Sequence, residues 1–96
     1  MNRETLFTEF CHAQAELEDA GGSTPCRVNP DFFYPEDYYL LSTRRMAEDL
    51  AKQLCQSCPI RALCASYAVA AQEDYGIWGG TNARERREIR LSLRPK

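Results

Sequence analysis

The residues of this sequence best suited to chemistry are four of its five cysteines: Cys26, Cys55, Cys58 and Cys64. Cys55-Gln56-Ser57-Cys58 is a Cys-x2-Cys pair, a spacing that lets two thiolates converge on one centre across a single turn. Pro59 is expected to open a helix directly after the pair, at the position where its missing N–H costs nothing. The free N–H groups of that helix start then face the thiols and favour thiolate over thiol. On this reading Cys64 lies about 9 Å farther along the helix axis, at roughly 1.5 Å per residue. Zinc holds its sulfurs close, at about 2.3 Å from one ion. The longer reach suits an iron–sulfur cluster, which four thiolates hold, often one Cys-x2-Cys run with a remote cysteine. Structural zinc is the nearest rival, although a zinc fold normally carries two such pairs. A thioredoxin-like redox pair is a weaker rival, because it belongs beside a βαβ pattern and none is found. Cys11 and His12 fall inside a helical pattern and read as a partly buried cysteine and a surface histidine. No nucleophile pattern supports His12 as a catalytic base.

Composition agrees with metal or cluster binding. The chain has 96 residues, with 44% hydrophobic and 27% charged side chains, and is expected to form one domain across residues 1–96. So short a chain builds a small core, for which a metal or cluster is a natural staple. The N-terminal residues carry no apolar signal core, and no charge-free run reaches the roughly 20 residues that a bilayer span needs. The expected location is the cytoplasm, where thiols stay reduced, with no membrane association. An odd cysteine count without an export signal argues against a disulfide scaffold.

The elements that must position these thiols read as all-α. Leu6, Phe7, Phe10, Ala13 and Leu17 recur at helical spacing and predict a first helix over residues 2–19. Gly21-Gly22-Ser23-Thr24-Pro25 breaks it and delivers Cys26 in a loop. Residues 29–41 hold two prolines and five aromatics, an irregular apolar connector that forms either a core plug or an exposed docking patch. A helix over 42–54 is expected, with Ser42 as N-cap and Met46, Leu50 and Leu54 as its apolar stripe, flanked by Ala47 and Ala51. The helix after Pro59 buries Ile60, Leu63, Tyr67 and Ala71 and ends at Gly76. Thr81 or Asn82 then caps a last helix to about Leu93, with Asn82 and Glu85 at capping-box spacing. About four helices result, and no alternating strand pattern appears.

Charge is uneven. Residues 84–96 carry Arg84, Arg86, Arg87, Arg90, Arg94 and Lys96 against two glutamates, a balance of +4, whereas residues 1–83 balance at −6. An acidic body with a basic tail is either a solvated helix with internal Glu–Arg pairs or a surface that meets something acidic. Gly76-Ile77-Trp78-Gly79-Gly80 presents a tryptophan on a tight turn, as an interface anchor or as a cap over the core.

Taken together, Cys26, Cys55-x2-Cys58, Cys64, the Gly76-Ile77-Trp78-Gly79-Gly80 turn and Arg84-Glu85-Arg86-Arg87 resemble the WhiB-like proteins of actinobacteria and their phages. The resemblance runs from about residue 24 to residue 90. It implies a small helical fold, with its core at about residues 24–83, wrapped around a [4Fe–4S] cluster ligated by Cys26, Cys55, Cys58 and Cys64. It implies a transcription regulator rather than an enzyme, docking on the C-terminal domain of the primary sigma factor of RNA polymerase and taking no small-molecule substrate. Phe32, Phe33, Trp78, Gly79 and Gly80 are the positions that match the family's docking surface. Some members respond to oxygen or nitric oxide. Promoter DNA contact through Arg84, Arg86, Arg87 and Arg90 is a further expectation, although the glycine–arginine–proline hook of some relatives is absent. The rival functions are a thiol–disulfide reductase acting through Cys55 and Cys58 in the apo form, and a zinc-stabilised interaction module.

Overall fold

The computed structural model describes residues 2–94, and Lys96 of the basic tail lies outside them. Five helices follow in order: α1 (Arg3–Asp19), α2 (Pro25–Val28), α3 (Leu41–Gln56), α4 (Arg61–Ala70) and α5 (Ala83–Ser92). Two 3-10 turns, Pro30–Phe33 and Pro35–Asp37, fill the space between α2 and α3. Among the described residues no strand forms, apart from a single bridge between Trp78 and Thr81. The all-α expectation therefore holds. No helix among these residues is long and apolar enough to cross a membrane.

Several local expectations need correction. Cys26 sits in the short helix α2, started by Pro25, rather than in a loop. Leu40, not Ser42, occupies the N-cap of α3 and offers no side-chain hydrogen bond. Pro59 lies in the turn before α4, which begins at Arg61. Cys64 is thus only one turn into its helix, and the predicted 9 Å offset along the axis does not arise. α4 ends at Ala70, well before Gly76, and Gln72 takes a left-handed φ of 57° beyond it. The capping box is as expected: Asn82 accepts from the Glu85 N–H, and the Glu85 carboxylate accepts from the Asn82 N–H, each at 2.8 Å.

The core is small and includes part of the site. Phe33, Ala51, Cys55 and Ile77 form one buried cluster, with Phe32 and Leu54 packed against it. The buried face of α3 is Ala47, Ala51 and Cys55, one residue later than the predicted Met46-Leu50-Leu54 stripe. One residue is about 100° of helix rotation, so Met46 is left 65% exposed. Two alanines on the inner face let the 3-10 turns and the glycine turn approach α3 closely. α1 packs across α4, with Phe7 and Phe10 against Tyr67, and with Phe10 and Tyr67 both against Trp78. An Arg27–Glu18 ion pair ties α2 to the end of α1.

Candidate metal centre

Each cysteine is delivered by a different local device. Cys26 is the second residue of α2, and its sulfur lies 3.2 Å from the Thr24 hydroxyl. Cys55 is in the last turn of α3, on the same face as Ala51 and Ala47. Cys58 follows in a tight turn, where its N–H donates to the Cys55 carbonyl at 3.0 Å. Cys64 sits in the first turns of α4, with Ala68 one turn behind it on the buried side. All four line one pocket, walled by Phe10, Phe33, Ile60, Ile77 and Gly79. The structure therefore brings together the four cysteines singled out in the sequence. The fifth, Cys11, is exposed on α1 and is not among the pocket residues, contrary to the partly buried position expected.

The sulfurs feel one another. Burial pushes the Cys64 thiol up to about 12, and the nearby Cys55, Cys26 and Cys58 add to the rise while the Gly79 N–H opposes it. Burial also raises Cys55; the Gly80 N–H and Arg61 oppose that rise, and Cys58 and Cys26 add to it. Two thiols, Cys55 and Cys64, whose negative charge burial disfavours suit a positive inorganic centre that takes up that charge. The donor set is all-sulfur, as in iron–sulfur clusters held by four cysteines. Among the described residues no three His, Cys, Asp or Glu side chains are grouped closely enough to hold a single metal ion.

The glycine turn forms one wall. Gly79 has φ of 58°, and a Cβ there would sit 2.5 Å from the Ala65 nitrogen and the Arg61 carbonyl oxygen. No side chain fits, so the turn lies flush on α4, with Gly79 in the pocket wall and Gly80 beside Cys55. Trp78 follows the backbone outward. It is half-buried, its indole N–H donates to the Tyr75 carbonyl at 2.9 Å, and its N–H and carbonyl pair with Thr81.

Two of the expected surface contacts are corrected. Phe33 is 3% exposed and lines the cysteine pocket, so it cannot be a direct partner contact, whereas Phe32 is half-buried. Arg86 is 0% exposed, which removes it from any nucleic-acid face. Its guanidinium instead donates to the carbonyls of Glu73, Tyr75, Gly76 and Thr81 and to the Thr81 hydroxyl. Arg84 and Arg87 are exposed, and Arg90 lies 3.9 Å from Asp74. Phe10 and Gln14 of α1 also line the pocket and were not anticipated. Phe10 lay on the predicted apolar face, but nothing local indicated that this face would meet the cysteines.

The chain is thus a small all-helical one in which Cys26, Cys55, Cys58 and Cys64 line one pocket, closed by a Gly-Ile-Trp-Gly-Gly turn. The family described as "Transcription factor WhiB" matches residues 21–89, and the chain belongs to this WhiB family. It is similar to "Transcriptional regulator WhiD" of Streptomyces coelicolor, 45% identical over 84 residues, covering 86% of this chain and 75% of the relative. It is also similar to "Transcriptional regulator WhiB2" of Mycolicibacterium smegmatis, at 42% identity over 70% of this chain and 46% of the relative. The "Redox-responsive transcriptional regulator WhiB3" of the same organism is 44% identical over 64% of this chain and 65% of that protein. The aligned part thus spans about three quarters of the first relative and less than half of the second.

Proposed function

We propose that this chain is a [4Fe–4S] regulator of transcription that docks on the C-terminal domain of the primary sigma factor of RNA polymerase. The observation that carries the reading is the convergence of Cys26, Cys55, Cys58 and Cys64 on one pocket in a chain of the WhiB family. Those four thiolates would hold the cluster, which when bound supplies redox chemistry and sensitivity to oxygen or nitric oxide. The redox-responsive name of one relative agrees with that role. The rest is done by this chain's own residues. Phe10, Phe33 and Ile77 shield the buried Cys55 and the half-buried Cys64 from water, and the Gly80 and Gly79 N–H groups stabilise negative charge on these two, whereas Cys26 is exposed. Trp78 and Phe32, half-buried beside the pocket, offer the apolar surface for the sigma factor, supported from beneath by Phe33. A partly exposed tryptophan is a common interface anchor. Exposed Arg84 and Arg87 can meet promoter phosphates once the partner is bound, which positions the protein without reading sequence.

A thiol–disulfide reductase reading is less well supported, because Cys55 is buried and its thiol is pushed up, whereas a reactive cysteine needs access and a low value. The decisive experiment is purification without air. Brown protein with iron and sulfide bound is expected, and it should capture the isolated sigma C-terminal domain in a pull-down. Colourless protein carrying zinc would overturn the cofactor, and brown protein that leaves the sigma domain unbound would overturn the partner. Trp78→Ala should keep the colour and lose the sigma domain; loss of visible absorbance instead would make Trp78 mainly structural.

A further inference from the structure

We propose that Arg86 is a positioning residue for the cluster site. By gripping the carbonyls on both sides of the Gly76–Thr81 turn, it aims the Gly79 and Gly80 N–H groups at Cys64 and Cys55. It thereby sets the reduction potential of the group held there. The inference rests on the cofactor reading above.

Burying a guanidinium is costly unless its donors are satisfied. Arg86 meets that demand without a direct carboxylate partner among the described contacts. Its Nε donates to the Glu73 carbonyl at 2.9 Å, before the turn. One terminal nitrogen reaches the Gly76 carbonyl at 2.9 Å and the Tyr75 carbonyl at 3.3 Å. The other takes the Thr81 carbonyl and its hydroxyl, at the far end of the turn. One planar fork thus fixes the distance between the two ends of the segment that carries Trp78, Gly79 and Gly80. The segment is held from the other side as well. The Glu36 carboxylate accepts from the Gly76 N–H at 2.9 Å, and the Phe33 carbonyl accepts from the Ile77 N–H at 2.8 Å. Gly76 is therefore gripped at its N–H by an anion and at its carbonyl by a cation. The output of this frame is the wall of the pocket. Gly79 lines it, and a Cβ at Gly80 would lie 3.7 Å from the Cβ of Cys55. Hydrogen bonds to cluster sulfurs are among the protein's means of setting a reduction potential, and they act through outer residues that orient them.

The test uses the full chain purified without air, comparing wild type with Arg86→Lys, Arg86→Met and, as an exposed neighbour, Arg87→Met. Two quantities are read: the midpoint potential from a dye-mediated reductive titration, and the iron–sulfur stretching bands by resonance Raman. N–H···S bonds favour the more negative, reduced form, so weakening them lowers the potential. Arg86→Met is expected to shift the midpoint negative and move the stretching bands, with Arg87→Met unchanged. Arg86→Lys is the discriminating variant, because it keeps the charge and loses the fork. A shift in Arg86→Lys comparable to that in Arg86→Met supports aim rather than charge. An iron-loaded Arg86→Lys protein with wild-type potential and wild-type bands overturns the proposal. If neither variant retains iron while wild type does, Arg86 is a fold staple alone and the proposal falls. Wild type without iron would instead overturn the cofactor reading.

Discussion

The Gly76–Thr81 turn and the outer face of α3 treat their side chains in opposite ways. In the turn and its support, a charged residue, Arg86, is the most deeply buried large side chain of the described chain. On α3, apolar Met46 and Leu50 face outward, and Tyr39, Leu40 and Leu41 just before and at its start are exposed too. Burial in this molecule follows the needs of the cysteine pocket rather than hydropathy. Backbone carbonyls freed by a glycine turn need a donor, and a guanidinium supplies five N–H groups in one plane. α3 needs small residues at its inner face, so its larger apolar side chains are displaced outward.

That contrast can be tested by perturbing each region. The largest effect is expected at the thiols themselves. Cys55→Ser should abolish iron binding and leave a largely unfolded or molten chain, because the binding free energy of the proposed cluster would be folding free energy. Far- and near-UV circular dichroism of the iron-free protein checks this, and near-native packing with cooperative melting would contradict it. Next comes Gly79→Ala. It combines a left-handed backbone with a Cβ 2.5 Å from α4 backbone atoms. Strain of about 1–3 kcal/mol from the backbone conformation and a further ~1–3 kcal/mol from overpacking predict a sharp loss of melting temperature. Gly21→Ala is the matched control: its φ is 85°, but nothing lies within 4 Å of the added carbon. It should show the backbone cost without the clash.

A smaller effect is expected on the other side of the comparison. Met46→Gln should change stability by less than about 0.5 kcal/mol, as for an ordinary surface site. A loss of about 2 kcal/mol or more in a denaturant titration would mean that this face is packed in solution.

The smallest effect is electrostatic. Burial alone would raise the Glu85 carboxyl, but the Asn82 N–H and the Lys52 ammonium outweigh it and hold the group below its ordinary value. A carboxylate depressed on folding stabilises above its unfolded value, about 4.3, and loses that contribution as pH falls through the lower folded value. Glu85→Gln should therefore lower the melting temperature slightly at pH 7, by the equivalent of no more than about 1 kcal/mol for so exposed a pair. The gap between the two proteins should close as the pH is lowered below about 4. A gap independent of pH would assign the effect to packing rather than charge.

Much of the site was legible before any coordinates. Cys55, Cys58 and Cys64 are close in sequence, so their proximity follows from local geometry, and the Asn82–Glu85 capping box is a contact within four residues. The face of α3 was legible too, though it was read one residue off. Stepping back four and eight residues from Cys55 leads to Ala51 and Ala47, the true buried stripe. Cys64 and Ala68 share a face of α4 in the same way. A buried cysteine that lines the pocket marks which side of its helix is inside, and larger apolar residues elsewhere do not outvote it.

What this sequence determined by itself is therefore local: helices, the cap of α5, the glycine turn and the spacing of three of the four thiols. Only the tertiary structure decided that Phe10 of α1 would reach the pocket, that Phe33 would turn inward, and that Arg86 rather than its neighbour Arg87 would be buried. Adjacent arginines are chemically identical to any pattern read along the chain. They differ because α5 starts at Ala83, capped by Asn82, and its rotation points one guanidinium at the carbonyls of Glu73, Tyr75, Gly76 and Thr81 and leaves the other in water. Those carbonyls come from residues 73–81, and the orientation of that segment is a property of packing, not of composition.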